Sequence, residues 1–153
     1  METYSETTKT NINETNDCVV RSFAIALGIE YIKAHSFCKD WLGRKRYEGV
    51  RALPNKLTDE KVVSQLSNMG FSIKPVNNKW YNKWLKKYLP MNVRRFSKTY
   101  NKGTYIVANN THAWVINDGE VKDWGSFKPQ LQRTCMHAWE VKNNRQYTLN
   151  FTF

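Results

Sequence analysis

No apolar run in this sequence is long enough to span a bilayer, and its polar opening lacks the apolar stretch of a signal peptide. Cysteine is scarce. The three present are an odd number without framework spacing, which argues against a disulfide scaffold and for a reducing compartment. Acid is short as well: 13 Asp and Glu stand against 24 Lys and Arg, a formal charge of +11. That excess favours polyanions or acidic protein surfaces as partners and says little about fold. Internal repeats and a second domain boundary are also missing. The expectation is a soluble cytoplasmic protein with no membrane segment: a flexible, almost wholly polar arm over 1–15, then a single domain over 16–153. A chain of 153 residues can bury a real core, and 6 Trp, 8 Tyr and 7 Phe give it an aromatic character.

Periodicity predicts helices first and strands later. Val19, Val20, Phe23, Ala24 and Leu27 recur at helical spacing before Gly28, and Tyr31, Ala34, Phe37, Cys38 and Trp41 do so before Gly43. Residues 43–57, basic and broken by Gly and Pro, read as an exposed loop. A further helix is expected from a cap at Thr58 to Gly70. Phe71 to Val76 reads as an edge strand because of Pro75, Lys79 to Leu89 as a basic helix, and 91–102 as irregular. From Gly103 the period becomes two, with strands at Thr104–Ala108 and Ala113–Asn117 and a hairpin turn at Asp118-Gly119. Val121–Trp124 continues the meander, and Met136–Lys142 with Gln146–Phe153 is expected to close it. Helices followed by an antiparallel sheet is the α+β pattern.

Cys18 opens the first of these helices. With Asn16 or Asp17 as cap, its sulfur lies beside unpaired N–H groups and the positive end of the helix dipole, which favour a thiolate. Arg21, one turn on, adds positive charge. The ordinary alternative is a small buried hydrophobe.

His112 and Asp123 flank the Asp118-Gly119 turn at similar distances, so they approach each other at one sheet end. That suits a carboxylate orienting an imidazole, the arrangement a cysteine nucleophile requires. A solvent-facing strand carrying both residues incidentally is the alternative.

The combination resembles a group of small, phage-associated, papain-like cysteine peptidase homologues, related in layout to the bacteriocin-processing peptidases. The matching pieces are Asn16-Asp17-Cys18-Val19-Val20-Arg21, Gly28 with Tyr31, Gly103-Thr104-Tyr105, His112, Asp118-Gly119, Asp123-Trp124 and Trp139. They cover roughly 16–42 and 103–142. The resemblance implies a papain-like fold, with the nucleophile helix packed on the C-terminal antiparallel sheet. It implies Cys18 as nucleophile, His112 as general base and acid, and Asp123 as the orienting residue, acting on a peptide, isopeptide or other amide of a protein substrate. An oxyanion donor is also implied, with Asn16 the first choice and Asn13 the second. Such chemistry calls for no cofactor. The chain departs from the pattern in having no Gln ahead of Cys18 and in reading Trp-Gly-Ser after Asp123. A catalytically inactive basic phage protein on the same fold, a virion component or host-interaction factor, is the alternative.

Two other constellations remain. His35-x-x-Cys38 and Cys135-x-His137 hold four zinc-type ligands, but neither has the usual Cys-x-x-Cys spacing, and both cysteines read as buried hydrophobes. The 79–98 segment interleaves Trp80, Tyr81, Trp84 and Tyr88 with lysines and runs into Arg94 and Arg95. Rings beside cations suit single-stranded nucleic acid or an acidic protein surface. An amphipathic helix packing both Trp inward produces the same pattern.

Overall fold

A computed structural model describes residues 16–122 and 131–144. Helices α1 (Cys18–Leu27), α2 (Tyr31–Trp41), α3 (Leu53–Thr58) and α4 (Glu60–Asn68) come first. Then follow β1 (Phe71–Pro75), β2 (Lys79–Asn82), β3 (Lys87–Pro90), α5 (Val93–Thr99), β4 (Thr104–Ala108), β5 (Ala113–Asn117), β6 (Glu120–Lys122) and β7 (His137–Asn143). The class is α+β. No helix among the described residues is long and apolar enough to cross a membrane.

The main sheet is antiparallel with strand order β1-β7-β4-β5-β6, so β7 lies between β1 and β4. Side chains alternate across a strand, and both faces are covered. Ile106, Ala108, Ala113, Val115, Trp139 and Val141 face the α1–α4 layer, where Phe23 and Ala24 are fully buried. Tyr105, Val107, Trp114, Ile116 and Ala138 face α5 through Phe96 and Val93. Burying a side chain such as Phe23 contributes about 1.5–3 kcal/mol, which fixes α1 across β4 and β5.

Three stretches differ from expectation. Residues 79–90 form a hairpin, not a helix, with Tyr81 opposite Tyr88 and Trp80 opposite Leu89. Asn82 Oδ1 accepts from the N–H groups of Trp84 (2.9 Å) and Leu85 (3.1 Å), and Lys86 takes a left-handed φ of 52°. That local side-chain-to-backbone bonding outcompetes a helical ladder. The two Trp therefore do not pack inward together: Trp80 is half-buried, whereas Trp84 at the tip is 94 % exposed. The supposedly exposed loop 43–57 buries Arg44, Leu53 and Leu57 and contains most of α3, started by Pro54. Residues 91–102, expected to be irregular, contain α5, capped by Asn92 Oδ1 accepting from Arg95 N–H at 2.9 Å.

Smaller shifts have similar causes. The cap of α4 is Asp59, whose Oδ1 accepts from Lys61 N–H at 2.8 Å. Thr58 Oγ1 instead donates back to the Pro54 and Asn55 carbonyls, closing α3. The arm 1–15 and the strand expected at Gln146–Phe153 lie outside the described residues.

Candidate active site

The N-terminus of α1 meets the sheet where β4 ends and β5 begins. Gly28 (φ 63°) stops the helix at its far end and donates its N–H to Ile25 O at 3.3 Å. At the near end, the first intrahelical bond runs from Arg21 N–H to Asp17 O at 2.9 Å. The N–H groups of Cys18, Val19 and Val20 therefore have no partner inside the helix.

Asp17 does not cap with its side chain. It is buried, and its Oδ2 accepts from Tyr31 Oη at 2.7 Å and from Arg21 Nε at 3.0 Å. Arg21 thus serves Asp17, a use that the expected charge beside Cys18 does not include. The chain is pinned to α2 one residue ahead of the cysteine.

His112 sits at the mouth of β5. Asn109 Oδ1 accepts from His112 N–H (2.8 Å) and Thr111 N–H (2.9 Å), and Asn109 N–H donates to the His112 carbonyl at 2.9 Å. This closed turn fixes the His112 backbone, and its ring stacks on Trp114 with centroids 5.8 Å apart and planes 15° from parallel.

The structure brings Cys18 and His112 together in a hydrogen bond between their side chains. Partial burial pushes the Cys18 thiol up. The bond from His112, the N–H of Ala113, the charge of His112 and the N–H of Val19 together outweigh burial and hold the thiol below its ordinary value. The other two cysteines lack such support. Burial pushes Cys38 and Cys135 up to about 12 each.

A cleft of about 300 Å³ opens beside the sulfur. One wall is Gly49, Val50, Ala52, Leu53 and Pro54, and the other is the 108–113 turn with His137. No carboxylate lines it among the described residues. His137 stacks on Trp139 at 6.0 Å and enters this cleft rather than meeting Cys135 chemistry elsewhere. Cys38 belongs to the core on the α1 side of the sheet and Cys135 to the core on the α5 side. Among the described residues no three His, Cys, Asp or Glu groups assemble to hold a metal.

Asn16 does not line the cleft; it is exposed at φ 54°, and its Nδ2 donates to the Tyr47 carbonyl at 3.0 Å. It ties the 43–52 segment to the start of α1. Asp123 and Asn13 lie outside the described residues. Sequence reasoning missed the Asp17–Tyr31 bond, the Ala113 N–H at the sulfur and the wall from α3. Buried tyrosine one helix away from an acid is a signal only once the helix packing is known.

No protein-family model, curated protein or solved structure matches the chain.

Proposed function

We propose that the chain is a papain-like cysteine peptidase, or a related amide or isopeptide hydrolase, of the phage-associated kind its motifs resemble. The observation that carries this reading is the hydrogen bond between Cys18, at a helix N-terminus, and His112, at a strand mouth, with the thiol held low. Cys18 Sγ attacks the carbonyl carbon of the substrate amide. The oxyanion that forms beside the sulfur meets the unpartnered N–H of Cys18 itself, with the second hydrogen of the Asn16 amide as the side-chain donor. The His112 imidazolium gives its proton to the leaving amine as the C–N bond breaks, leaving a thioester. His112 then takes a proton from water, whose oxygen attacks the thioester, and the acid and the thiolate separate. On this scheme Asp123 orients the imidazole.

The cleft walls favour apolar groups beside the scissile bond, since Gly49, Val50, Ala52 and Pro54 carry no charge. An activity probe tests the reading: an electrophilic peptide-like thiol trap should label the wild type, and Cys18→Ala and His112→Ala should abolish labelling. Labelling that survives in Cys18→Ala overturns it. A non-enzymatic binding protein on the same scaffold is the second reading, favoured by the fully exposed ring of Trp84. It takes over if the wild type ignores the probe while the fold is intact.

A further inference from the structure

A concavity away from Cys18 lies between the β2–β3 hairpin and α5. It measures about 510 Å³, and Trp80, Leu89 and Pro90 form one side while Arg94, Arg95 and Lys98 form the other. The Arg95 guanidinium lies over the Trp80 ring at 3.7 Å, which holds it flat along the cavity wall. Neither arginine nor Lys98 pairs with a carboxylate among the described residues. The reason is in the chain: from Lys61 to Asn117 there is no acidic residue at all.

The hairpin continues this surface outward. Tyr81 and Tyr88 face each other with ring centroids 5.2 Å apart, both exposed. Trp84 stands at the tip at 94 % exposure, with Lys83, Lys86 and Lys87 around it. An exposed Trp and two exposed Tyr are costly to leave in water without a partner that covers them.

We infer that the hairpin and α5 form a binding platform for single-stranded nucleic acid, separate from the Cys18 cleft. Cations at Arg94, Arg95 and Lys98 take successive phosphates, and unpaired bases stack on Trp84 and Tyr88. An acidic protein surface answers the charge but supplies no flat faces for three exposed rings. An anionic membrane would engage the tip and leave the cations of α5 that line the concavity unused. A duplex hides its base faces from the rings. Phosphates and base faces are common to DNA and RNA, so both bind alike on this platform.

Fluorescence anisotropy with labelled oligo-dT and oligo-U tests this on the full chain. Both should bind at low salt within a few-fold of each other, and a duplex of equal length more weakly. Affinity should fall steeply with salt, and Arg94→Gln with Lys98→Gln should flatten the log–log slope by about 0.7 per cation removed. Trp84→Ala, at a site too exposed to affect folding, should weaken binding about five- to a hundredfold. Cys18→Ala should leave binding unchanged, so failure here and failure of the peptidase reading are separate results. The platform is overturned by absent binding at low salt, by a duplex binding as well as the single strands, or by Trp84→Ala without effect. Equal competition by poly-glutamate, or tighter association with phosphatidylserine vesicles than with oligonucleotide, overturns it as well.

Discussion

Tyr31 Oη donates a 2.7 Å hydrogen bond to Asp17 Oδ2, so the residue preceding the cysteine is bonded to the first turn of the next helix. The acceptor is charged and buried, the setting in which one bond contributes about 1.5–3 kcal/mol. Tyr31→Phe should therefore lower the denaturant midpoint by an amount in that range with little change in slope. An unchanged midpoint would mean that Arg21 alone suffices to hold the carboxylate.

Thiol chemistry should single out Cys18. Its folded value is depressed, so thiolate persists at pH values where a free cysteine, near about 8.5, is protonated. Cys38 and Cys135, pushed up to about 12, stay protonated through the same range. Iodoacetamide at mildly acidic pH should modify Cys18 first, with the rate falling as pH drops through the folded value. His112→Ala should remove most of that preference. Mass-spectrometric mapping showing equal modification of all three sulfurs would exclude a poised nucleophile.

Alkali should destabilise the fold. Cys38, Cys135, Tyr100 and Tyr105 all have raised folded values, the cysteines through burial and the tyrosines through burial and then the charge of Glu140. A raised group contributes stability in full below its unfolded value and loses it as pH climbs toward the folded one. For the cysteines that window runs from the unfolded value of about 8.5 up to about 12. The melting temperature should decline across it, and Glu140→Gln should soften the tyrosine share of the decline. A flat profile up to the top of the window contradicts the burial of these groups.

Gly119→Ala should cost about 1–2 kcal/mol. Gly119 has φ 80°, and an added Cβ would stand 3.3 Å from the Ser97 carbonyl of α5. The loss should be visible in thermal melts, and a neutral result would show that α5 yields easily at that contact.

The parts of the fold legible in the sequence are those governed by local rules. The spacing from Val19 to Leu27 and the Gly28 stop give α1, and the alternation on both sides of Asp118-Gly119 gives the β4–β5–β6 meander. Both turn residues have positive φ, at 49° and 80°, as a primed hairpin turn demands. The 79–90 stretch was illegible because its rings satisfy helical spacing while Asn82 bonds the backbone into a turn. The insertion of β7 between β1 and β4 rests on long-range pairing that no local pattern carries. At the candidate site, Cys18 and His112 each announce themselves by residue type and by their place at the start of an element. Asp17 reads as a cap and is instead a buried anchor, because its partner Tyr31 belongs to another helix.

The bond between Cys18 and His112 joins residues almost a hundred positions apart, and the cleft beside them also borrows from 49–54 and from β7. Such a site forms late, since closing long loops precedes any reward from the contacts they bring. During synthesis Cys18 leaves the ribosome well before the imidazole exists. Until the sheet is assembled the sulfur is an ordinary thiol, and its depressed value belongs only to finished molecules.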